Sequence, residues 1–131
     1  MAPIVHVVFF QFKPELTAIE RTRASHPSFR PGSEADQVPP LQLCDQMLRL
    51  KDSCLHPQSE KPYIQSSMGG LDKSIEGAHG GMTHAFVVQF ASQEDRDYYV
   101  QEDPAHRTFV DSILPNLVKA RIIDFTPGVF R

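Results

Sequence analysis

The chain of 131 residues is organised around the stretch Glu102-Asp103-Pro104-Ala105-His106-Arg107-Thr108-Phe109-Val110. Asp103 is a favourable N-cap residue, and Pro104 suits the first helical position, where no N–H is needed. His106 therefore falls near the third helical position, where the positive end of the helix dipole disfavours protonation. Such an imidazole can act as a neutral base or hydrogen-bond partner near neutral pH.

The apolar residues that follow His106 indicate which way its side chain faces. Val110, Ile113 and Leu117 come four, seven and eleven residues later, on a helix predicted over residues 104–118. This spacing places the imidazole on the side of the helix that packs inward. Two interpretations remain open: a half-buried core histidine with satisfied hydrogen bonds, or a functional group.

Composition limits the class of protein. The length fits a single domain over residues 1–131, and 40% hydrophobic with 22% charged residues is ordinary for a globular protein. The formal net charge of −3 gives no basic surface for nucleic acid. No apolar run reaches the roughly 18 residues of a membrane span, and no signal-peptide pattern is present, so we expect a cytoplasmic protein. Cys44 and Cys54 should remain thiols, since they lie about 15 Å apart on one predicted helix.

Two strongly apolar segments, residues 3–12 and 82–90, predict β-strands. Because nearly every residue in them is apolar, both should lie at the centre of a sheet covered on both faces. The more polar segment 62–68 begins with proline and predicts an edge strand. The remaining predicted elements are helices at residues 15–20, 41–55 and 93–101, a glycine-rich loop at 69–81 and a last strand at 121–126.

This order of elements predicts an α+β fold. It is a ferredoxin-like βαββ(α)αβ protomer with a four-stranded antiparallel sheet and helices on one face. We predict that the first and third strands are parallel neighbours, which would bring His6 and His84 side by side, roughly 5 Å apart between backbones. With His106 on a nearby helix, three histidines would line one pocket. Because the helices cover only one face of the sheet, we expect a second copy of the chain to cover the other, forming a homodimer.

Residues 21–38 interrupt the pattern with closely spaced proline, glycine and serine, and predict a loop insertion. A loop of this length is unusual in a small domain. It is either a functional lid or an insertion that the fold tolerates. Arg21, Arg23 and Arg30 could make it an anion-binding flap, or they could be solvated charges, because no glycine-rich phosphate cradle accompanies them.

Three histidines also raise the question of a zinc site. The sequence has neither the i,i+4 histidine pair of a metalloprotease nor a CxxC motif, and no carboxylate is clearly placed to orient the imidazoles. We therefore predict no metal and no other cofactor. No serine or cysteine lies in a nucleophile-elbow motif near these histidines, so covalent catalysis is not expected either.

Several segments together resemble the stress-responsive dimeric α/β barrel (Dabb) family: residues 4–13, 82–90, 103–110 and 123–125. The specific part of the resemblance is Thr83-His84 before an apolar strand combined with Pro104-Ala105-His106 at a helix start. It extends over essentially the whole chain apart from residues 21–37. The resemblance implies a ferredoxin-like protomer whose sheet pairs with that of a second copy to close a barrel, with the helices outside.

The resemblance implies a function that differs among members. Many are known only as stress-induced proteins, while a few are enzymes, among them polyketide cyclases of the olivetolic acid cyclase type and a plant hydroxynitrile lyase. In the cyclase, histidines at the positions of His6, His84 and His106 line the pocket, and the last is the base. The chain departs from the cyclase at two positions.

One departure concerns the tyrosine that lies six residues before the base in the cyclase. That position is Val100 in this chain, and Tyr99 lies one residue further back. The other is Asp103, which stands where the cyclase has a histidine. Both departures weaken the inference of the same cyclization but leave a base-lined pocket as the expectation.

The expected function is that of a small cofactor-independent enzyme of polyketide cyclase or lyase type, acting on a small hydrophobic carbonyl, aromatic or polyketide ligand. His106 would remove a proton alpha to a carbonyl, with His84 and His6 hydrogen-bonding the enolate oxygen and Tyr99 as a candidate proton donor. The predicted substrate-binding residues are Phe86, Val88, Phe109 and Val110.

The alternative is a non-catalytic stress-response or small-ligand-binding barrel, in which the histidines only satisfy one another. A collapsed interior around the histidines would favour this alternative. An open apolar pocket that ends at the imidazoles would favour the enzyme.

Overall fold

The computed structural model describes residues 2–16 and 39–131, which contain one four-stranded antiparallel sheet with helices packed on one face. The elements in chain order are β1 (Ile4–Phe12), α1 (Pro40–Ser53), β2 (Ile64–Leu71), β3 (His84–Phe90), α2 (Gln93–Gln101), α3 (Pro104–Ile113), a 3-10 turn (Leu114–Asn116) and β4 (Leu117–Phe125). This is the predicted ferredoxin-like α+β arrangement. The predicted insertion at 21–38 and most of the predicted helix at 15–20 lie outside the described residues.

The strand order in the sheet is β2-β3-β1-β4, and every neighbouring pair is antiparallel. The apolar strands β1 and β3 lie at the centre and the more polar β2 at an edge, so these predictions from composition are confirmed. The prediction that β1 and β3 are parallel is wrong. A helical crossover makes β1 and β2 parallel with β3 between them, and β3 runs antiparallel to β2 and therefore also to β1.

The antiparallel pairing separates two of the histidines. His6 lies opposite Val88, whereas His84 lies opposite Phe10. Because an antiparallel strand rises about 3.4 Å per residue, this offset places the two histidines roughly 14 Å apart along the sheet. The prediction that they lie side by side is therefore wrong.

Helix α3 is shorter than predicted, and β4 is longer. The helix expected to reach Val118 ends at Ile113, and β4 begins at Leu117 rather than at Arg121. The 3-10 turn between them contains Pro115, which has no N–H to continue the helical hydrogen bonds. Leu117 therefore does not share a helix face with His106.

The core lies between the sheet and the helices. Alternate residues of the central strands point into it, and apolar residues of the three helices cover them. Its buried side chains include Phe10, Phe12, Phe86, Phe90, Leu43, Met47, Tyr99, Phe109 and Ile113. Cys44 and Cys54 are not joined by a disulfide. Within the described ranges, none of the helices has the length and apolar character needed to cross a membrane.

Gly69 of β2 is required by its close approach to β3. A Cβ atom on Gly69 would overlap the ring of Phe86, whereas among the described residues nothing lies within 4 Å of the corresponding position on Gly70. Because Phe86 is only 1% exposed and cannot move aside, Gly69→Ala should lower the free energy of unfolding by about 1–3 kcal/mol. Gly70→Ala is the matched control and should change it by less than about 0.5 kcal/mol. Urea unfolding of both variants tests this packing, and equal effects would contradict it.

Candidate functional site

A cavity of about 420 Å³ lies between the β1–β4 half of the sheet and helices α2 and α3. Its volume falls within the roughly 300–1,000 Å³ typical of small-molecule sites. The wall is mostly apolar, and its polar members are His6, Arg96, Asp97, Tyr99, Gln101, His106 and Asp124. The cavity thus has the composition of a ligand pocket with a few polar groups to fix orientation.

The paired strands β1 and β4 give the cavity a polar end and an apolar end. His6 pairs with Asp124 at one end, and Phe10 pairs with Ala120 at the other. Val8, paired with Ile122, lies between them. Because alternate residues of a strand face the same side, these three pairs form successive steps along one wall.

Asp124 of β4 holds the His6 ring, and Arg96 of α2 in turn holds Asp124. Its Nδ1 lies 2.6 Å from Oδ1 of Asp124, and Arg96 donates to the other Asp124 oxygen over 2.7 Å. A carboxylate only accepts hydrogen bonds, so Nδ1 of His6 carries the proton in this pair. The other ring nitrogen, Nε2, is therefore the one available to a ligand.

Tyr99 lies between the two imidazoles of the cavity. Its ring stacks on His106 with 3.9 Å between ring centroids, and it meets the His6 ring edge-on at 5.8 Å. Burial raises the pKa of the Tyr99 phenol well above its usual value, so the hydroxyl keeps its proton. The three rings form one continuous polar wall.

His106 is a neutral imidazole at ordinary pH. Burial lowers the pKa of His106 to about 4; nearby His6 acts in the same direction, while the Tyr99 backbone carbonyl and the Asp103 carboxylate oppose the shift. Among the described residues, Nδ1 of His106 is buried without a hydrogen-bond partner. Unpaired buried polar atoms are rare in native proteins and often mark functional groups.

The lowered pKa of His106 predicts a pH-dependent stability. Unfolded histidine has a pKa near 6.5 and folded His106 one of about 4, so between these values the unfolded chain binds more protons. Stability therefore falls as the pH is lowered through this range. Allowing for partial solvent screening, the loss is about 2 kcal/mol. The free energy of unfolding lost between pH 7 and pH 4, measured with urea, should be about 2 kcal/mol smaller in His106→Gln than in the wild-type protein. Equal losses in the two proteins would contradict a neutral His106.

Asp103 fixes the first turn of α3 from within the core. One carboxylate oxygen accepts hydrogen bonds from the N–H groups of Ala105 and His106 at 2.9 and 3.4 Å, and the other accepts from the Tyr63 hydroxyl at 2.5 Å. Asp103 is 1% exposed. The predicted N-cap thus also connects α3 to the residue before β2, which sets the position of His106.

The cavity contains some of the residues predicted from sequence and not others. The predicted residues that line it are His6, Tyr99, His106, Phe109 and Val110. His84 does not line it: its ring packs edge-on against Phe12 at 4.9 Å, and its Nδ1 lies 2.8 Å from the Thr83 hydroxyl. Phe86 and Val88 are core residues, each 1% exposed, and are not part of the cavity wall. The antiparallel strands therefore give a pocket with two histidines instead of three.

Arg96 and Asp124 complete the polar end, although neither was predicted from the sequence. Arg96 lies in a helix dense in charged residues, which is the ordinary pattern of a solvated surface. Asp124 carried a usable signal, because a carboxylate next to the apolar residues Ile122, Ile123 and Phe125 needs a partner. Within residues 2–16 and 39–131, no group of three or more His, Cys, Asp and Glu side chains is arranged to hold a metal ion.

The fold and the cavity define a class of protein: a ferredoxin-like α+β protomer with a histidine-containing pocket between its sheet and its helices. The family model for the stress responsive A/B barrel domain matches residues 4–127. The chain therefore belongs to the stress responsive A/B barrel domain family. No curated protein sequence matches it.

Solved structures of similar fold include a protein of Arabidopsis thaliana, 25% identical, with a TM-score of 0.66 and 98% of each chain covered. A hydroxynitrile lyase from Passiflora edulis is 16% identical, with a TM-score of 0.67 over 99% of this chain and 98% of the lyase. A dimeric ferredoxin-like protein of unknown function from Thermobifida fusca is 18% identical, with a TM-score of 0.57 over 95% and 91% of the two chains. The last two show likeness of fold alone.

Proposed function

We propose that this chain is a cofactor-independent enzyme of the polyketide cyclase or lyase type, which moves a proton next to a carbonyl group. The observation that carries the proposal is the pair of imidazoles at the polar end of one apolar cavity. One is neutral and lacks a partner on Nδ1 among the described residues, and the other is backed by a carboxylate. In enzyme sites, two titratable groups whose environments differ commonly serve as the acid and the base.

His106 acts as the base in this proposal. Because its pKa is about 4, it is unprotonated and able to accept a proton throughout the neutral range. A base of this strength works best on an acidic proton, such as that of a carbon between two carbonyl groups or of a cyanohydrin hydroxyl. The substrates of polyketide cyclases and hydroxynitrile lyases have such protons.

His6 and Tyr99 stabilise the charge that forms when the proton leaves. To donate from Nε2, His6 must carry a second proton, and the positive charge is then balanced by Asp124 at 2.6 Å. The Tyr99 hydroxyl keeps its proton and is the candidate donor from the middle of the wall. His84 has no part in the reaction, since it lies at the other end of the β1–β3 pair.

Two assays test this function with purified protein. Release of benzaldehyde from mandelonitrile reports lyase activity, and formation of an aromatic product from a linear tetraketide thioester reports cyclase activity. Turnover above the uncatalysed rate in either assay would support the proposal. Rates equal to the uncatalysed reaction in both would favour the second candidate.

The second candidate function is non-catalytic binding of a small apolar ligand. It is favoured by the mostly apolar wall of the cavity and by the hydrogen bonds that His6 and Arg96 already make within the chain. A protein of this kind would bind aromatic ketones and leave them unchanged. Ligand binding without turnover or proton exchange would identify it.

We also propose that two copies associate through the outer face of the sheet. Met68, Val87, Val7 and Ile123 form one row across all four strands on that face. Met68 is 65% and Ile123 61% exposed, which is unusual for a row of apolar residues in a single molecule. The Thermobifida fusca protein of similar fold is described as dimeric.

A charge placed in this row should separate the two copies. Ile123→Glu would bury a carboxylate against an apolar face, so we expect sedimentation velocity to show a shift from dimer to monomer. Leu48→Glu is the matched control, because Leu48 is an exposed apolar residue of α1 on the opposite side of the sheet. A wild-type monomer, or a dimer unaffected by Ile123→Glu, would contradict association through this face.

A further inference from the structure

The charges at the polar end of the cavity restrict the ligand further. Resting on the proposed function, we infer that the cavity accepts uncharged carbonyl compounds with an apolar ring or chain and discriminates against carboxylates and phosphates. The inference rests on how Arg96 is bonded and on the net charge around it.

Arg96 is the only lysine or arginine among the described residues that line the cavity. Its Nε donates to Asp97 over 2.9 Å, and its NH1 donates to Asp124 over 2.7 Å. Bidentate recognition of a ligand carboxylate or phosphate by arginine needs two neighbouring donors of the guanidinium. An anionic ligand would therefore compete with two carboxylates that are fixed on the protein.

The local charge balance acts in the same direction. One guanidinium faces two carboxylates, and a third carboxylate, that of Asp103, lies behind His106. The surrounding wall is apolar, so an anion would also lose its hydration without gaining a counter-ion. A ketone or aldehyde oxygen requires only a hydrogen-bond donor, which the Tyr99 hydroxyl, or His6 once it carries a second proton, can supply.

The apolar end accounts for the rest of the ligand. From His6 the wall continues past Val8 to Phe10 on β1, with Ile122 and Ala120 opposite them on β4. Leu117 and Ile113 close this end. A carbonyl group next to the imidazoles therefore places an attached ring or alkyl chain along a continuous apolar surface.

A matched pair of probes tests the inference. 4-Butylacetophenone and 4-butylbenzoate have the same ring and chain, and at pH 7.5 only the second is charged. Dissociation constants come from NMR titration of the His6 and His106 ring signals at fixed ionic strength. We expect the benzoate to bind at least about tenfold more weakly than the ketone.

Asp97→Asn tests whether the bonding of Arg96 causes the weaker binding of the benzoate. Asp97 is 44% exposed on its side chain, so the variant should fold, and it removes one of the two negative charges bonded to the guanidinium. The ratio of the two dissociation constants should then fall by about threefold or more. Asp111→Asn removes the same charge from an exposed position on α3 that is not part of the cavity wall, and it should leave the ratio unchanged.

Equal affinity for ketone and benzoate in the wild-type protein would overturn the inference and leave the proposed function standing, because the ketone would still bind beside the imidazoles. An identical change of the ratio of dissociation constants in Asp97→Asn and Asp111→Asn would also overturn the inference. The effect would then come from the net charge of the protein and not from the bonding of Arg96. Failure of the ketone to bind would contradict the proposed function itself, and the inference with it.

Discussion

Replacing His106 by glutamine should reduce turnover by at least about 100-fold, the usual size of the loss when a positioned general base is removed. Glutamine keeps a polar side chain of similar reach but cannot accept a proton at neutral pH. The N-cap at Asp103 makes its hydrogen bonds to Ala105 and Tyr63 without the imidazole, so the variant should fold. The measurement is kcat/KM with whichever of mandelonitrile or the tetraketide thioester the wild-type protein converts.

His84→Gln is the matched control for this prediction. His84 was expected from sequence to join the same pocket, but it lies opposite Phe10, at the far end of the strand pair from His6. Its replacement should change kcat/KM by less than about twofold, within the ±0.5 kcal/mol typical of substitutions away from special features. A loss in His84→Gln as large as in His106→Gln would restore the three-histidine pocket and contradict the two-histidine site.

Asp103→Ala should have the largest effect on stability, lowering the free energy of unfolding by about 3 kcal/mol. Loss of the N-cap costs about 1 kcal/mol, and the Tyr63 hydroxyl, left buried without an acceptor, adds about 1–3 kcal/mol. The bond between Tyr63 and Asp103 joins two segments that are 40 residues apart, so it is not replaced locally. Urea unfolding at pH 7 provides the measurement.

Ser92→Ala is the matched control for Asp103→Ala. Ser92 caps α2 by accepting a hydrogen bond from the Asp95 N–H, and within residues 2–16 and 39–131 its side chain has no further partner comparable to Tyr63. Its replacement should cost only about 1 kcal/mol. If Asp103→Ala costs no more than Ser92→Ala, the bond between Tyr63 and Asp103 contributes nothing to the position of α3.

Much of the fold could be predicted because the relevant signals are local. The apolar content of residues 3–12 and 82–90 identified the two central strands, and Asp103-Pro104 located the start of α3 to the residue. The direction of β3 relative to β1 was predicted wrongly because it depends on a crossover and a neighbouring strand, which no local pattern encodes. The end of α3 was misplaced because the apolar spacing continued past Pro115, where the helical hydrogen bonds cannot.

The candidate site could be predicted only in part, for the same physical reason. The capped helix start pointed to His106, and the resemblance to the cyclase pointed to Tyr99, which lies one residue before the position of the cyclase tyrosine; both line the cavity. Arg96 was not selected, because its role comes from a contact with Asp124, which is 28 residues away in the chain. Long-range pairing of charges is set by tertiary packing, so a charged residue on a charged helix gives no local signal.

Deuterium exchange is the most direct test of proton transfer by His106. The probe is ethyl 4-butylbenzoylacetate in D₂O at neutral pH, an uncharged keto ester whose methylene carbon lies between two carbonyl groups. The proposal predicts that the wild-type protein accelerates incorporation of deuterium at that carbon, as followed by ¹H NMR, and that His106→Gln reduces the acceleration by at least about 100-fold. Exchange at the uncatalysed rate with the keto ester bound, or equal acceleration by wild type and His106→Gln, would contradict it.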